Sequence, residues 1–205
     1  MPKNILKAGK KYTFSDYFDL GAPADEIVAE FGYALTVEKL ALPVGGDFDG
    51  KLIKDLQDSY YGLLSKVSLN SEAAKREFMI APVLLALINT IDAKLNIEYP
   101  LDIDDRLSGT VDYLLRSQRE LIVIEAKKGD LERGFNQLAA EMIAVDHYED
   151  AGAFSVLYGA ITIGEIWRFA SLDRNAKHLT KDVHTFRFPE DLQEIFAILK
   201  GILNP

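Results

Sequence analysis

The chain has 205 residues, 48% of them hydrophobic and 27% charged, which is enough for one well-buried core and too few for two full-sized domains. With no cysteine and only His147, His178 and His184 as imidazoles, disulfides and zinc-type centres are excluded, so carboxylates must hold any metal ion, a donor chemistry suited to magnesium or manganese. The formal charge of −9 argues against an extended nucleic-acid surface, because phosphate affinity comes largely from Lys and Arg.

The sequence also lacks the run of about 20 apolar residues that a bilayer span requires. Its first residues, Met1 to Lys11, are basic but carry no apolar signal core. The expected compartment is therefore the cytoplasm, with no membrane contact.

Residues 1–70 read as a helical extension packed on a core formed by residues 71–205. Residues 24–41 place Ile27, Val28, Phe31 and Leu35 near one helical face before Pro43 and Gly45-Gly46. Residues 51–67 repeat the pattern with Ile53, Leu56, Tyr60, Leu63 and Leu64. Such amphipathic helices are packing elements, and they offer a surface for a homodimer or a protein partner.

A third helix opens at Asn70-Ser71, a good N-cap, runs through Glu72, Arg76 and Glu77, and is expected to bend at Pro82. After Asp92 the period changes to that of strands, over residues 95–101 and 109–115. A polar turn at 117–120 leads to Leu121-Ile122-Val123-Ile124, a run typical of a central strand. Asp130 caps a helix to about Val145, two strands follow at 154–158 and 165–172, and a last amphipathic helix covers 189–203. This order predicts an α/β domain with a mixed sheet flanked by helices.

Strand alternation puts Glu125 and Lys127 on one face. A two- or four-residue turn around Gln118-Arg119 gives a register in which paired numbers total 237, so that Asp112 stands opposite Glu125. Carboxylates so placed, with β-carbons about 4.5–5.5 Å apart, repel unless a cation lies between them. A metal ion or Lys127 can supply it, and a purely structural ion pair is the competing reading.

Val111-Asp112, twelve further residues and then Glu125-Ala126-Lys127, after a helix with an acid in its first turn, resemble the PD-(D/E)XK nuclease superfamily, with Val111 in place of the motif's proline. Ser71, Glu72, Arg76, Ile80, Pro82 and Leu84 are similar to the first helix of the N-terminal nuclease domain of type I restriction enzyme motor subunits. Gly159-Ala160-Ile161-Thr162-Ile163-Gly164 with Trp167 and Phe169 is similar to a late hairpin of the same group.

The resemblance implies a restriction-endonuclease-like fold and hydrolysis of DNA phosphodiester bonds with Mg2+ or Mn2+. It implies that Asp112, Glu125, the Ala126 carbonyl and Glu72 (or Glu77) bind the metal, that Lys127 acts on the attacking water, and that Gln137 stands near the site, with Glu141 one turn on. Lys128, Arg76 and Arg133 are the candidate phosphate contacts, with Arg116 and Arg119 behind them. The competing readings are a pairing of Glu72 with Arg76 along the helix, an exposed helical face for Gln137 and Glu141, and a nuclease-fold protein that binds or regulates without catalysis.

Overall fold

The computed structural model describes residues 5–46, 48–117, 120–125, 129–148 and 154–204, with only the backbone of 120–125. One mixed sheet organises the chain, in the order β1 (Ala34–Glu38), β7 (His178–Asp182), β6 (Ile166–Asp173), β5 (Val156–Thr162), β4 (Glu120–Glu125), β3 (Ser108–Arg116) and β2 (Lys94–Asp102). The short β8 (Phe186–Arg187) pairs with β6. β2, β3 and β4 form an antiparallel meander, and β5 returns parallel to β4. A parallel return requires a long crossover, which α6 (Leu131–Tyr148) provides.

Helices cover both faces. α1 (Phe14–Asp19), α2 (Ala24–Ala29) and α6 pack Phe14, Tyr17, Ile27, Phe135 and Met142 on Leu114, Ile161 and Leu172. On the other face, α3 (Gly50–Leu63), the helix from Glu72 to Ile88 and α7 (Leu192–Leu203) pack Ile53, Met79, Leu84 and Phe196 on Tyr113, Leu115, Ala160 and Trp167. Tyr113, Leu114 and Leu115 thus alternate between two cores, as the two-residue period of a strand demands. Trp167 is wholly buried, as expected of a core anchor. The α/β class and the mixed sheet flanked by helices match the sequence reading.

Three readings are corrected. Residues 24–41 do not form one helix: α2 stops where Gly32 takes φ +79°, with Tyr33 N–H donating to Val28 O at 3.1 Å and Gly32 N–H to Ala29 O at 3.0 Å, the closing pair of a Schellman motif. The chain then enters β1, parallel to β7, so the first seventy residues contribute a sheet edge as well as helices. The strands β7 and β8 were not anticipated, since His178-Leu179-Thr180-Lys181-Asp182 carries too few apolar residues to signal a strand.

The third correction concerns the hairpin. Arg116 pairs with Glu120 and Tyr113 with Val123, so paired numbers total 236 instead of 237. Three residues separate the paired ends, where two or four had been expected, and a shift of one residue exchanges the relation between faces. Asp112 therefore does not stand directly opposite Glu125.

The third helix is interrupted. Ser71 Oγ accepts from Ala74 N–H at 3.1 Å to start α4 (Glu72–Lys75), a π-helical turn spans Arg76–Ile80, and α5 (Ala81–Ile88) follows. Ala81 N–H reaches back five residues to Arg76 O. The wider turn lies immediately before Pro82, which has no N–H to offer to a regular ladder. Among the described residues no helix is long and apolar enough to cross a membrane.

Candidate functional site

Asp112 lies on β3 beyond the last residue paired with β4, beside a local irregularity in β2. The β2–β3 ladder pairs Ile97 with Tyr113 and Tyr99 with Val111, and Glu98, between them, takes φ +50°. A non-glycine residue in that region costs on the order of 1–3 kcal/mol. Glu98 and Asp112 are joined through Arg76, whose Nη2 is 3.5 Å from Glu98 Oε1 and whose Nη1 is 3.6 Å from Asp112 Oδ1.

The guanidinium also stands 5.4 Å from the Tyr113 ring centre. Burial works against its charge, but the hydrogen bond with Tyr113 and the Asp112 and Glu98 carboxylates outweigh it and raise the Arg76 pKa above the ordinary value. Between Glu98 and Asp112, a pair the sequence did not single out, the cation is an arginine from the π-helical turn, and the pairing of Arg76 with Glu72 is replaced by these longer-range contacts.

A cavity of about 450 Å³ opens here, lined by Glu98, Asp112, Thr110, Gly109, Gln137, Thr13 and Ser15. Gln137 reaches it from α6. An exposed helical face does not account for Gln137 or Glu141, because α6 is covered on both sides and leaves them 5% and 0% exposed. Gln137 Nε2 donates to Glu141 Oε1 at 3.0 Å, which fixes the amide in orientation.

Thr13 and Ser15 come from the segment the sequence left without a role. Thr13 bridges to Ser108, and Ser108 Oγ donates to Tyr12 O at 3.1 Å, so the start of α1 is bound to the start of β3. Gly109 permits this approach, since a Cβ there would meet the Phe14 ring at 3.0 Å. Neither these hydroxyls nor Glu98 was singled out from sequence, where no motif marks them.

Other selected residues are placed differently. Glu72 and Glu77 are exposed and do not line the cavity. Arg133 is exposed, its guanidinium 5.7 Å from the Phe18 ring centre, and Arg116 lies 5.4 Å from the Tyr99 ring centre. Arg76, expected to meet phosphate, is instead held by two carboxylates. His147 is exposed in the last turn of α6. Glu125 ends β4, its backbone paired with Thr162 of β5. Ala126, Lys127, Lys128 and Arg119 lie outside the described residues, as does the Glu125 side chain.

The donors around the cavity are carboxylate, amide and hydroxyl oxygens, the set a hard divalent ion accepts. Among the described residues no three His, Asp or Glu side chains are grouped to hold a metal. Magnesium commonly takes only one or two protein carboxylates and completes its shell with water and substrate phosphate, so the donor chemistry fits it. A larger cavity of about 860 Å³ lies between residues 44–50 and α7, and none of the sequence-selected residues lines it. No family model matches the chain, and no curated protein matches it.

Proposed function

We propose that this protein is a metal-dependent nuclease of the PD-(D/E)XK type that hydrolyses DNA phosphodiester bonds. The observation that carries the reading is the meeting of Asp112 from β3 and Gln137 from α6 at one oxygen-lined cavity. The order of helix, three antiparallel strands, crossover helix and parallel strand supports a restriction-endonuclease-like fold.

Asp112 and Glu98 are the carboxylates on the cavity that would hold a divalent ion, with Glu125 and the Ala126 carbonyl at the end of the adjoining strand. Bound there, magnesium or manganese would act as a Lewis acid on the phosphate and supply a more acidic water. Arg76 places its positive charge between Asp112 and Glu98. Gln137, oriented by Glu141, positions water or a phosphate oxygen. Lys127, two residues beyond Glu125, is assigned the proton traffic and charge stabilisation of the attacking water.

The test is incubation of the protein with supercoiled, linear and single-stranded DNA plus magnesium or manganese, beside Lys127→Ala and Asp112→Asn. Divalent-dependent cleavage lost in both variants is expected. Cleavage that persists in Lys127→Ala would overturn the assignment of that lysine.

Arg76 favours one second reading. Because it places a cation between Glu98 and Asp112 without a metal, the pair is compatible with a fold that serves as a binding or regulatory module. That reading expects no cleavage and no manganese binding.

A further inference from the structure

Arg168 on β6 and Lys181 on β7 lie close together beneath the first turn of α6. Glu132 reaches over both: its Oε1 is 2.7 Å from Arg168 Nη1 and its Oε2 is 2.6 Å from Lys181 Nζ. The exposures are unequal. The two cationic side chains are 16% and 10% exposed, while Glu132 is 68% exposed. Lys181 also stands 4.9 Å from the Phe135 ring centre.

Among the described residues two largely buried cations thus share one surface carboxylate, where buried charges are ordinarily matched. In addition, Arg168 Nε is buried with no hydrogen-bond partner among the described residues. A fork of donors with one N–H unused and only a displaceable carboxylate in place is the chemistry that receives a tetrahedral oxyanion. Glu132 occupies that place as an internal anion, and its pKa is lowered because the hydrogen bonds and charges of Lys181 and Arg168 outweigh the cost of its burial.

The place in the sheet indicates what the anion belongs to. Arg168 pairs with Ile161, which pairs with Ile124 of β4. Two strand spacings put the Arg168 backbone about 10 Å from the end of β4.

We propose that Arg168 and Lys181 form a phosphate-binding site, covered at rest by Glu132, that takes a backbone phosphate of nucleic acid beside the candidate site. The oxyanion site stands on the geometry above, and only the naming of nucleic acid as its source rests on the nuclease reading.

The test uses the full chain in EDTA, so that neither cleavage nor metal enters. A fluorescent single-stranded oligonucleotide is titrated by anisotropy and inorganic phosphate by calorimetry, against wild type, Glu132→Gln, Asp58→Asn and the double variant Arg168→Gln, Lys181→Gln. Removing the competing carboxylate in Glu132→Gln is expected to tighten oligonucleotide binding by roughly threefold to tenfold. The double variant is expected to weaken it more than tenfold and to flatten the log–log salt slope by about 0.7 for the lost phosphate contact.

Asp58→Asn, which removes an exposed carboxylate on α3 at the other face of the sheet, should bind like wild type. Glu132 is on the surface, so its arm carries the test even if the double variant fails to fold. Unchanged or weaker binding of both ligands by Glu132→Gln overturns the proposal. Tightening for inorganic phosphate alone overturns nucleic acid as the source and assigns the site to free phosphate. Binding of the oligonucleotide by a protein that cuts no DNA sinks the nuclease activity and leaves this site standing.

Discussion

The Asp16 carboxylate accepts hydrogen bonds from the Thr13 N–H at 2.7 Å and from the Thr13 hydroxyl at 2.8 Å. One short side chain thereby fixes the first turn of α1, and with it the Thr13 and Ser15 hydroxyls on the cavity. Replacing Asp16 with Ala is expected to lower stability by about 1 kcal/mol, the usual worth of such a cap, as read by urea denaturation at neutral pH. The backbone hydrogen bond from Thr13 is the main cause of the lowered Asp16 pKa, followed by the bond from its hydroxyl. A carboxylate with a lowered folded-state pKa stabilises the native state above its ordinary titration range and loses that effect as pH falls through the folded value. The difference between Asp16→Ala and wild type should therefore be full at pH 6 and shrink below pH 4. Thr13 and Asp16 at this spacing are readable in a sequence as a capping pair. That the cap holds hydroxyls at a cavity lined by Asp112 is not, because Thr13 and Asp112 stand 99 positions apart in the chain.

Among the elements, α7 is approached closely by backbone at Gly201. A Cβ on Gly201 would meet Gly45 N at 2.5 Å and Pro43 O at 2.7 Å, and Gly45 N–H donates to Ala197 O at 2.8 Å. Backbone atoms cannot swing aside as a side chain can. Gly201→Ala is expected to cost about 1–3 kcal/mol by overpacking, whereas Gly62→Ala in α3, where a Cβ meets nothing within 4 Å, should gain about 0.5–1 kcal/mol from helix propensity. Denaturant titration of the two variants side by side checks the contrast. Nothing local distinguishes these glycines, since both sit among helix-forming residues. The π-helical turn at Arg76–Ile80 was half legible: Pro82 announces a disturbed ladder, but not that the disturbance would be absorbed as a wider turn one step earlier, with Arg76 at its head. In β1 the same limit appears. Residues 34–38 carry apolar residues consistent with a helix, and only the Gly32 stop and the open edge of β7 turn them into a strand.

At the scale of the whole molecule, the two readings of the cavity separate on one measurement. If Asp112 and its neighbours bind manganese, ion at 100 times its dissociation constant should stabilise the fold by about 2.7 kcal/mol. For a chain of this size that is a rise of about 5–10 °C in melting temperature. The rise should vanish in Asp112→Asn, and a wild-type protein whose melting temperature ignores manganese would exclude a metal site. Hydrophobic periodicity and cap residues were sufficient by themselves to determine the order of most elements, the mixed sheet and the crossover helix after β4, because those signals are local and repeat within a few residues. Zero cysteines and only three histidines likewise pointed to mainly oxygen ligands for any metal. Tertiary structure alone decided the rest. The register total of 236 depends on how three residues close a turn, and the grouping of Glu98, Arg76 and Asp112 depends on a bend in one strand and a wide turn in a helix. The sharing of Glu132 by Arg168 and Lys181 requires three elements far apart in the chain, and no local pattern encodes which distant side chains will be neighbours.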